Sequence, residues 1–536
     1  MRLRSALQPH DTIGLLSHWT AVVLGKIIPY VQPDVHQHPR NYVLSTKKQG
    51  WEILVSELRE RTSAAESMGG NQKLGTQQDK GRLNARQRIT ALLDHDSFSE
   101  YGALAGGNHP GGQTPLAGDG LVGGIGRIQG RSVILFAEDF TVKGGSIGHP
   151  NAAKRARLVR LALEQKLPLI VMLDGAGERA DNQSERYPNS PNDLQLVADL
   201  KGQVPIVAMV LGTSAGHGAL AGMFADLIIM RRGTSLFSAG PPLVKAALGI
   251  DTSPTALGDA RMHTQESGLA HNLGVTEEEC FAMTRHFLSL LPARAGATLP
   301  VSANSPAAAR RTLKNLEEII PPQPNIAYDM REVVGEVSDS QSLFELQPDF
   351  GSSIITALAR IGGVPCMLIA NQPSVQAGAI TREAAEKATH FIEVANSFGL
   401  PLVSLLDNPG VMPGPEAEKA GTLKGAAQMF MAQRRYRGLK VVATLRKAFG
   451  FGSSVMGMNP WDQQIVSLAL PCVSLGGIPA IGGATAANAS DEEAAGMQSI
   501  QSGAWVPADA MAFDKVIEPG ELRNEIITAL QIKVDR

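Results

Sequence analysis

Two matching stretches decide the fold: LPLIVMLDG at residues 167–175 and LPLVSLLDN at residues 400–408. Each begins with Leu-Pro, continues through a short apolar run and reaches an aspartate, and the second lies 233 residues after the first. An apolar run of this length, with proline before it and Asp-Gly or Asp-Asn after it, predicts a buried β-strand. The same strand therefore occurs twice, which predicts an internal duplication.

The repetition extends on both sides of these strands. At the offset of 233 residues, Arg127-Ile128 recurs as Arg360-Ile361, and Gly145 and Lys154 recur as Gly378 and Lys387. After one inserted residue, the matches continue at an offset of 234 with Val207 and Val441, Leu211 and Leu445, Gly216 and Gly450, and Gly218 and Gly452. The 536 residues therefore contain one unit of about 230 residues used twice.

Within each half, apolar runs alternate with patterns typical of helices. The runs at residues 132–136, 169–173 and 206–211, and at 367–370, 402–406 and 441–445, predict buried strands. The patterns at residues 151–165 and 382–398 predict helices. Strand, glycine-rich turn, helix and strand in this order predict an α/β fold with right-handed crossovers over a parallel sheet. A polar stretch at residues 299–325, containing Pro321-Pro322, predicts the linker between the halves.

Composition and charge exclude several classes of protein. Lys and Arg number 49 against 51 Asp and Glu, so the net charge of -2 argues against a partner that is nucleic acid or a membrane surface. The three cysteines are too widely spaced for a disulfide framework or a zinc knuckle, and we expect no bound metal. The sequence has no uncharged apolar run of transmembrane length. Residues 1–48 form an N-terminal extension of unknown role.

Glycines stand directly after the predicted strands and before the predicted helices. They occur at residues 144–148, 174–177 and 215–219 in the first half, and at 377–379, 407–410 and 449–453 in the second. A turn that exposes backbone N–H groups at a helix N-terminus can hold an oxyanion. Tight turns and close packing would equally explain the glycines of one loop. Their recurrence in both halves favours two paired sites that stabilise anions.

Familiar catalytic motifs are missing from the sequence. It contains no GxxxxGK[ST], and the glycines at residues 123–126 precede a predicted strand rather than a helix, so a phosphate loop and a dinucleotide fingerprint are unsupported. It also contains no GxSxG and no HExxH motif. This pattern indicates chemistry in which the substrate or cofactor supplies the reacting groups and the protein supplies backbone dipoles.

Several motifs together resemble a known family. They are LNARQRI at residues 83–89, GDG at 118–120, DFTV at 139–142, NQP at 371–373, DNPG at 407–410 and RKAFGFG at 446–452. From about Trp51 to the C-terminus, the sequence resembles the carboxyltransferase (β) subunit of biotin-dependent acyl-CoA carboxylases. The resemblance implies two tandem crotonase-like ββα-spiral domains, which we place at residues 49–305 and 306–536.

The resemblance also implies the reaction and the partners. A carboxyl group would pass from carboxybiotin to the carbon next to the thioester of an acyl-CoA, and one enolate-like oxyanion would develop on each reactant. Biotin would be carried by an α subunit with biotin carboxylase and carrier domains, because this sequence has no biotin attachment site and no ATP-grasp loop. The family forms its active site between the N-domain of one subunit and the C-domain of another in a hexamer. We expect a bacterial cytoplasmic location or, as the alternative, the mitochondrial matrix.

The site residues follow from the resemblance by position. Backbone groups of Gly216, His217 and Gly218 would form the oxyanion hole for the acyl-CoA, and those of Gly450, Phe451 and Gly452 the hole for biotin, although the two assignments are exchangeable. The expected substrate-binding residues are Gly144, Gly145, Ser146, Gly177, Ala377, Gly378, Ser453 and Ser454. Four basic residues would meet CoA phosphates or lie as solvated charges: Arg155, Arg157, Arg446 and Lys447.

The sequence departs from the family at these loops, which leaves alternatives open. His217 and Phe451 replace small residues, and Ser453-Ser454 replaces a common Tyr-Asp, so the acyl group stays unassigned. The His217 side chain would either contact the thioester or act as an acid, or it would point away while the backbone acts. The same scaffold would also serve a biotin-dependent decarboxylase subunit, or a non-catalytic protein that binds CoA.

Overall fold

A computed structural model describes residues 39–107, 116–179, 193–302, 305–459 and 462–532 of the chain. The chain divides into a unit that ends at Arg59 and a unit that begins at Glu60. Helix α1, Pro39–Glu66, begins in the first unit, where its Trp51, Leu54 and Leu58 side chains are exposed. Residues 1–38 of the predicted extension lie outside the described residues. Among the described residues, no helix has the length and apolar character that a membrane span requires.

The first half builds a mixed sheet of eight strands from the described residues. The strands are β1 Ser99–Glu100, β2 Leu121–Ile128, β3 Arg131–Glu138, β4 Leu169–Gly175, β5 Ile206–Ala215, β6 Leu227–Arg231, β7 Ser235–Phe237 and β8 Asn272–Gly274. Their order is β1-β2-β3-β4-β5-β6-β8, with β7 paired to β5. The pairs from β3 to β8 are parallel, as predicted, whereas β1, β2 and β3 pair antiparallel.

The second half repeats this sheet in the described residues. Its strands are β9 Phe344–Leu346, β10 Ile354–Ile361, β11 Val364–Asn371, β12 Leu402–Asn408, β13 Lys440–Phe449, β14 Gln464–Ala469, β15 Ser474–Gly476 and β16 Lys515–Val516. Their order is β9-β10-β11-β12-β13-β14-β16, with β15 paired to β13. The two sheets thus have the same strand order, and the predicted duplication is confirmed.

Helices lie between the strands at equivalent places. The first half contains α2 Asn71–Asp79, α3 Ala85–Leu92, α4 His149–Gln165, α5 Asp193–Leu200, α6 Gly216–Gly222, α7 Pro241–Leu248, α8 Pro254–Gly258, α9 Ala260–Gln265 and α10 Glu277–Leu290. The second half contains α11 Leu316–Ile319, α12 Met330–Val337, α13 Arg382–Phe398, α14 Pro415–Ala420, α15 Thr422–Arg435, α16 Gly450–Val455, α17 Ala480–Ala487, α18 Asp491–Gln501, α19 Trp505–Asp509 and α20 Leu522–Leu530. The predicted strands and both predicted helices, α4 and α13, are confirmed.

One buried hydrophobic cluster contains residues of both halves. Leu135 and Met172 of the first sheet belong to the same buried cluster as Phe391 and Leu402 of the second half. Burying a side chain of this size contributes about 1.5–3 kcal/mol each. The halves are also joined by hydrogen bonds, since the Asn272 amide donates to the Glu345 carbonyl at 3.0 Å.

The predicted linker is not a free connection. Leu313, Leu316 and Ile320 are buried in the core of the second half, although they precede Pro321-Pro322. These apolar residues recur at spacings of three and four, so one face of the segment packs on α12 and the sheet. From residue 313 onward this stretch is therefore packed as part of the second half, because its apolar face outweighs its polar composition.

Each half buries one lysine at the duplicated position on its long helix. Lys154 on α4 donates to the Leu121 carbonyl at 2.5 Å, and Lys387 on α13 donates to the Gln347 carbonyl at 3.1 Å. Burial lowers the pKa of Lys154 to about 8 and that of Lys387 to about 7. In the folded protein the Lys387 ammonium group thus loses its proton at a lower pH than in the unfolded chain, so its burial penalises folding most at low pH.

We expect Lys387→Met to change how stability depends on pH. Between pH 7 and pH 10.5 the unfolded chain holds a proton on Lys387 that the folded chain has lost, so the stability of the natural protein rises with pH in this window. The variant lacks this contribution. As the pH rises from 7 to 10.5, its free energy of unfolding should therefore fall by a few kcal/mol relative to that of the natural protein. Urea unfolding at several pH values measures the difference.

Lys424→Met on α15 is the control, because the Lys424 side chain is exposed. A Lys387→Met variant whose stability keeps the same pH dependence as the natural protein would show that the Lys387 ammonium group is not desolvated as the structure indicates.

Candidate active site

A buried aspartate ends the central strand of each sheet and binds the next strand. The Asp174 carboxylate accepts a hydrogen bond from the Thr213 N–H at 3.2 Å, and the Asp407 carboxylate accepts one from the Lys447 N–H at 3.2 Å. In both sheets the strand register shifts at this aspartate. The carboxylate therefore fills an irregularity in the sheet and fixes the last residues of β5 and β13, from which the predicted oxyanion loops continue.

Arginines neutralise both aspartates, but they come from different parts of the chain. Arg88 on α3 binds Asp174 at 2.9 Å and also Glu277 at 2.9 Å. Arg446 on β13 binds Asp407 at 2.9 Å. The residue equivalent to Arg446 in the first half is Gly212, where an added Cβ atom would lie 1.8 Å from the Asp174 carboxylate. A side chain at that position is therefore excluded, and the arginine has to be supplied from α3.

The structure contradicts the interpretation of Arg155 and Arg446 as phosphate ligands or solvated charges. The Arg155 side chain is fully buried and binds Glu138 at 2.5 Å, and Arg446 is fully buried against Asp407. Lys447 binds Asp407 at 2.6 Å and is 10% exposed, which leaves Arg157 as the exposed member of this group. The interpretation is wrong because both arginines balance buried carboxylates of the sheets.

The predicted oxyanion loops have the same backbone in both halves. Gly216 and Gly450 begin α6 and α16, and both have φ of 56°, a conformation that favours glycine. The N–H groups of residues 216–218 and 450–452 lie in the first turn of a helix, where no intrahelical acceptor is available. An added Cβ atom at Gly218 would lie 2.8 Å from Glu138 Oε1, and one at Gly452 would lie 2.6 Å from the Cα of Gly410. Each loop therefore has no side chain at its glycines, and neighbouring atoms pack closely against Gly218 and Gly452.

Two further loops lie against each of these helix starts. In the first half, Ile147 N–H donates to the Gly177 carbonyl at 2.8 Å, and an added Cβ atom at Gly177 would lie 2.8 Å from the Ala215 carbonyl. In the second half, Ile380 N–H donates to the Gly410 carbonyl at 3.1 Å. The structure thus brings the loops at 144–148, 175–178 and 215–218 together, and likewise the loops at 376–380, 408–411 and 449–452.

Two of the expected substrate-binding glycines already use their N–H groups in hydrogen bonds within their own loops. The N–H groups of Gly145 and Gly378 donate to the carbonyls of Val142 and Val375, both at 2.9 Å. An added Cβ atom at either glycine would lie 2.5 Å from the carbonyl oxygen of the strand-end aspartate. These two glycines therefore shape their loops by close packing and have no free N–H donor.

The remaining predicted residues lie in or directly after the same loops, and of these Ser146 is buried. The Ser146 hydroxyl donates to Lys143 O at 2.7 Å, and the Ser453 hydroxyl donates to Gly450 O at 2.8 Å. Gly144 and Ser454 are partly exposed and Ala377 is exposed. The Phe451 side chain is 55% exposed at the second oxyanion loop.

Sequence reasoning missed two carboxylates beside the first loop. Asp193 on α5 lies 2.7 Å from His217 Nε2. Burial raises the pKa of Asp193, but the hydrogen bond from His217 and the charge of Arg155 outweigh it, so the pKa lies below its usual value. Glu138 on β3 accepts a hydrogen bond from the Asp174 N–H at 2.7 Å, and burial raises its pKa against the opposing charge of Arg155. Both contacts are tertiary, and no sequence signal identifies them.

Comparisons with known proteins give a consistent result. The chain matches the carboxyl transferase domain family over residues 76–536. A propionyl-CoA carboxylase carboxyltransferase subunit from Haloferax mediterranei is 33% identical over 497 residues, which cover 89% of this chain and 95% of the relative. A methylmalonyl-CoA decarboxylase subunit alpha from Veillonella parvula is 30% identical over 488 residues, which cover 89% of this chain and 95% of that relative.

A solved structure has the same fold. It is transcarboxylase 12S, described as a hexamer assembly with methylmalonyl-CoA and methylmalonic acid bound, and it matches with a TM-score of 0.84 at 28% identity. The match covers 90% of this chain and 97% of that chain. The likeness confirms the predicted fold class, an α/β chain of two tandem crotonase-like units.

We expect Arg446→Met to destabilise the protein strongly. The change leaves the buried Asp407 carboxylate without its arginine and removes hydrogen bonds to the carbonyls of Pro321, Gln323 and Ile326. Removing one partner of a buried ion pair costs about 3–5 kcal/mol. The shift of the urea unfolding midpoint measures the loss.

Arg382→Met is the matched control, since Arg382 pairs with Glu386 on the surface of α13 with both side chains about half exposed. That change should cost less than about 1 kcal/mol. Equal midpoints for the two variants would contradict a central role for the Asp407–Arg446 pair.

Proposed function

The chain belongs to the carboxyl transferase domain family of the biotin-dependent acyl-CoA carboxylases, and from that premise we propose that its two helix-start loops stabilise the two oxyanions of carboxyl transfer. The observation that carries the proposal is the duplicated loop, in which residues 216–218 and 450–452 present first-turn N–H groups on the same backbone. A donor of this kind contributes about 2.7–4 kcal/mol to the transition state. The paired loops therefore match a reaction with two developing anions.

We assign the loop at residues 216–218 to the thioester oxygen and the loop at residues 450–452 to the ureido oxygen of biotin. Biotin, bound from a partner chain, supplies the carboxyl group that is transferred. Phe451 supports the second assignment, because its exposed ring gives that loop an apolar flank. His217 supports the first, because it places a polar ring beside the N–H donors.

This chemistry needs no protein nucleophile, and the described cysteines agree with that requirement. Burial raises the pKa of Cys280 to about 12 and raises that of Cys366 as well. Thiols with a raised pKa are poor nucleophiles near neutral pH. The backbone donors are therefore the groups that act on the substrates in this proposal.

We propose that residues 49–305 and 306–536 are two domains. We also propose that a second copy of the chain covers exposed apolar helices of both domains. Helix α7 has no buried residue, and its Leu243 and Leu248 are 63% and 69% exposed. Ile478 before α17 and Trp505 on α19 are 58% and 68% exposed in the second half. Exposed apolar faces of this kind mark interaction sites. The hexamer of transcarboxylase 12S supports a ring of copies, each site combining an N-domain and a C-domain from two chains.

The remaining partner is a biotinylated chain with biotin carboxylase and carrier domains, and we place the reaction in the cytoplasm of a prokaryote. Archaeal and bacterial relatives support this placement.

The direction of the reaction has a second candidate, because one relative is named a decarboxylase subunit. Decarboxylation of a malonyl-type CoA would use the same loops, since the same enolate forms in both directions.

We expect the chain to incorporate labelled bicarbonate into an acyl-CoA when ATP and its biotinylated partner are present. The test uses short-chain, branched and 3-methyl-enoyl CoA substrates, since the family relatives act on propionyl-CoA and methylmalonyl-CoA according to their names. Release of CO2 from malonyl-type CoA without net incorporation would favour the decarboxylase. No reaction with any substrate in either direction would leave only a CoA-binding scaffold and would contradict the proposal.

We expect Phe451→Pro to lower kcat/KM by about 10²–10³-fold, because proline removes one N–H donor from the first turn of α16, where its ring is tolerated. Phe451→Ala is the matched control, since it removes the same exposed ring but keeps the N–H group. A steady-state assay of both folded variants measures the difference. Similar kcat/KM values for the two variants would argue against a backbone donor at residue 451.

A further inference from the structure

One side-chain pair distinguishes the two duplicated loops. His217, the second residue of α6, lies with its Nε2 atom 2.7 Å from Oδ1 of Asp193, the first residue of α5. The Asp193 side chain is 4% exposed and that of His217 is 23% exposed. A histidine whose ring is fixed by a buried carboxylate has one nitrogen committed, so the other nitrogen, Nδ1, is the one that can meet a ligand.

The second loop shows that this pair is not needed to build the loop. Gly216 and Gly450 have the same φ of 56°, and Asp174 and Asp407 make the same hydrogen bond to the strand before each loop. At the place of His217 the second loop has Phe451, which has no polar side-chain atom. The backbone geometry therefore forms without a histidine–aspartate pair, and the pair serves something that only the first loop does.

Charges around the first loop indicate what the pair does. Glu138 on β3 lies beneath Gly218, and its charge is balanced by Arg155 on α4. The low pKa of Asp193 keeps it ionised near neutral pH, so it disfavours an anion at the loop unless His217 carries a proton. With Nε2 donating to Asp193, a neutral ring presents a lone pair at Nδ1, whereas an imidazolium presents an N–H donor.

We propose that His217, held by Asp193, is a side-chain donor to the oxyanion that forms on the thioester at residues 216–218. The imidazolium Nδ1–H adds a charge-assisted hydrogen bond to those of the backbone, and the ring keeps its proton throughout. The inference rests on the proposed function and deepens it, because it assigns a side chain and a required protonation state to one of the two oxyanion sites. No described part of the second loop offers an equivalent group.

The experiment compares four variants of the full chain, each assayed with its biotinylated partner. They are His217→Phe, which installs the residue of the second loop, His217→Gln, Asp193→Asn, and His95→Phe as the control. His95 forms an exposed pair with Asp96, with side chains 93% and 87% exposed, so the control removes a histidine–aspartate pair away from the loops. The measured quantities are kcat and KM for the acyl-CoA.

We expect His217→Phe to lower kcat by about 10–10³-fold with little change in KM, because the lost donor acts in the transition state. His217→Gln should recover part of kcat, since its amide N–H also donates. Asp193→Asn should lower kcat, because the ring loses the carboxylate that holds it in place.

The outcomes separate this inference from the function on which it rests. A natural protein that turns over no acyl-CoA overturns both. An active natural protein together with a folded His217→Phe variant of unchanged kcat overturns the inference alone. A rise in KM at constant kcat, or an equal loss in His95→Phe, also overturns it. The thermal unfolding midpoint and the oligomeric state of each variant show whether it is folded. If His217→Phe does not fold, His217→Gln takes its place in the comparison.

Discussion

A buried carboxylate at the end of the central strand in each sheet is the interaction on which the rest of the structure depends. Asp174 and Asp407 each accept an N–H group of the neighbouring strand where the pairing register shifts. An ionised carboxylate without partners in such a place would cost several kcal/mol. Because each is fully satisfied, it fixes the backbone that leads into the helix-start loop, and the loop's N–H donors stand in place before any substrate arrives. Such preorganisation is the main source of electrostatic catalysis.

The two halves balance this charge by different routes, which shows what the duplication shares and what it does not. The carboxylate and the bare glycine loop occur in both halves, whereas the arginine comes from α3 in one and from β13 in the other. Gly212 and Arg446 occupy equivalent positions, and each fits only the arrangement of its own half. The two halves therefore share the loop geometry, but each neutralises its buried aspartate with an arginine from a different element.

The sequence predicted the parts that depend on local pattern and missed those that depend on tertiary pairing. Apolar runs and glycine positions were enough to predict the central strands, α4, α13 and the paired loops, because burial and turn geometry act over a few residues. Asn151, Arg155 and Leu158 share one buried face of α4 at helical spacing, so the burial of Arg155 could be predicted. Its partner Glu138 could not, and neither could the contact of His217 with Asp193, because no spacing relates residues that meet only in the fold.

The surroundings of the two loops differ in charge. Glu138 and Arg155 lie beneath the first loop, and Asn371 and Ala388 occupy their equivalent positions in the second half. Asn371 accepts the same hydrogen bond from the strand-end residue at 3.2 Å that Glu138 accepts at 2.7 Å, but it brings no charge. In a low-dielectric interior each added charge changes the energy of a nearby anion far more than it would in water. The two loops therefore share a backbone but differ in the charges around it, and the residues that distinguish the first loop are Glu138, Arg155, Asp193 and His217.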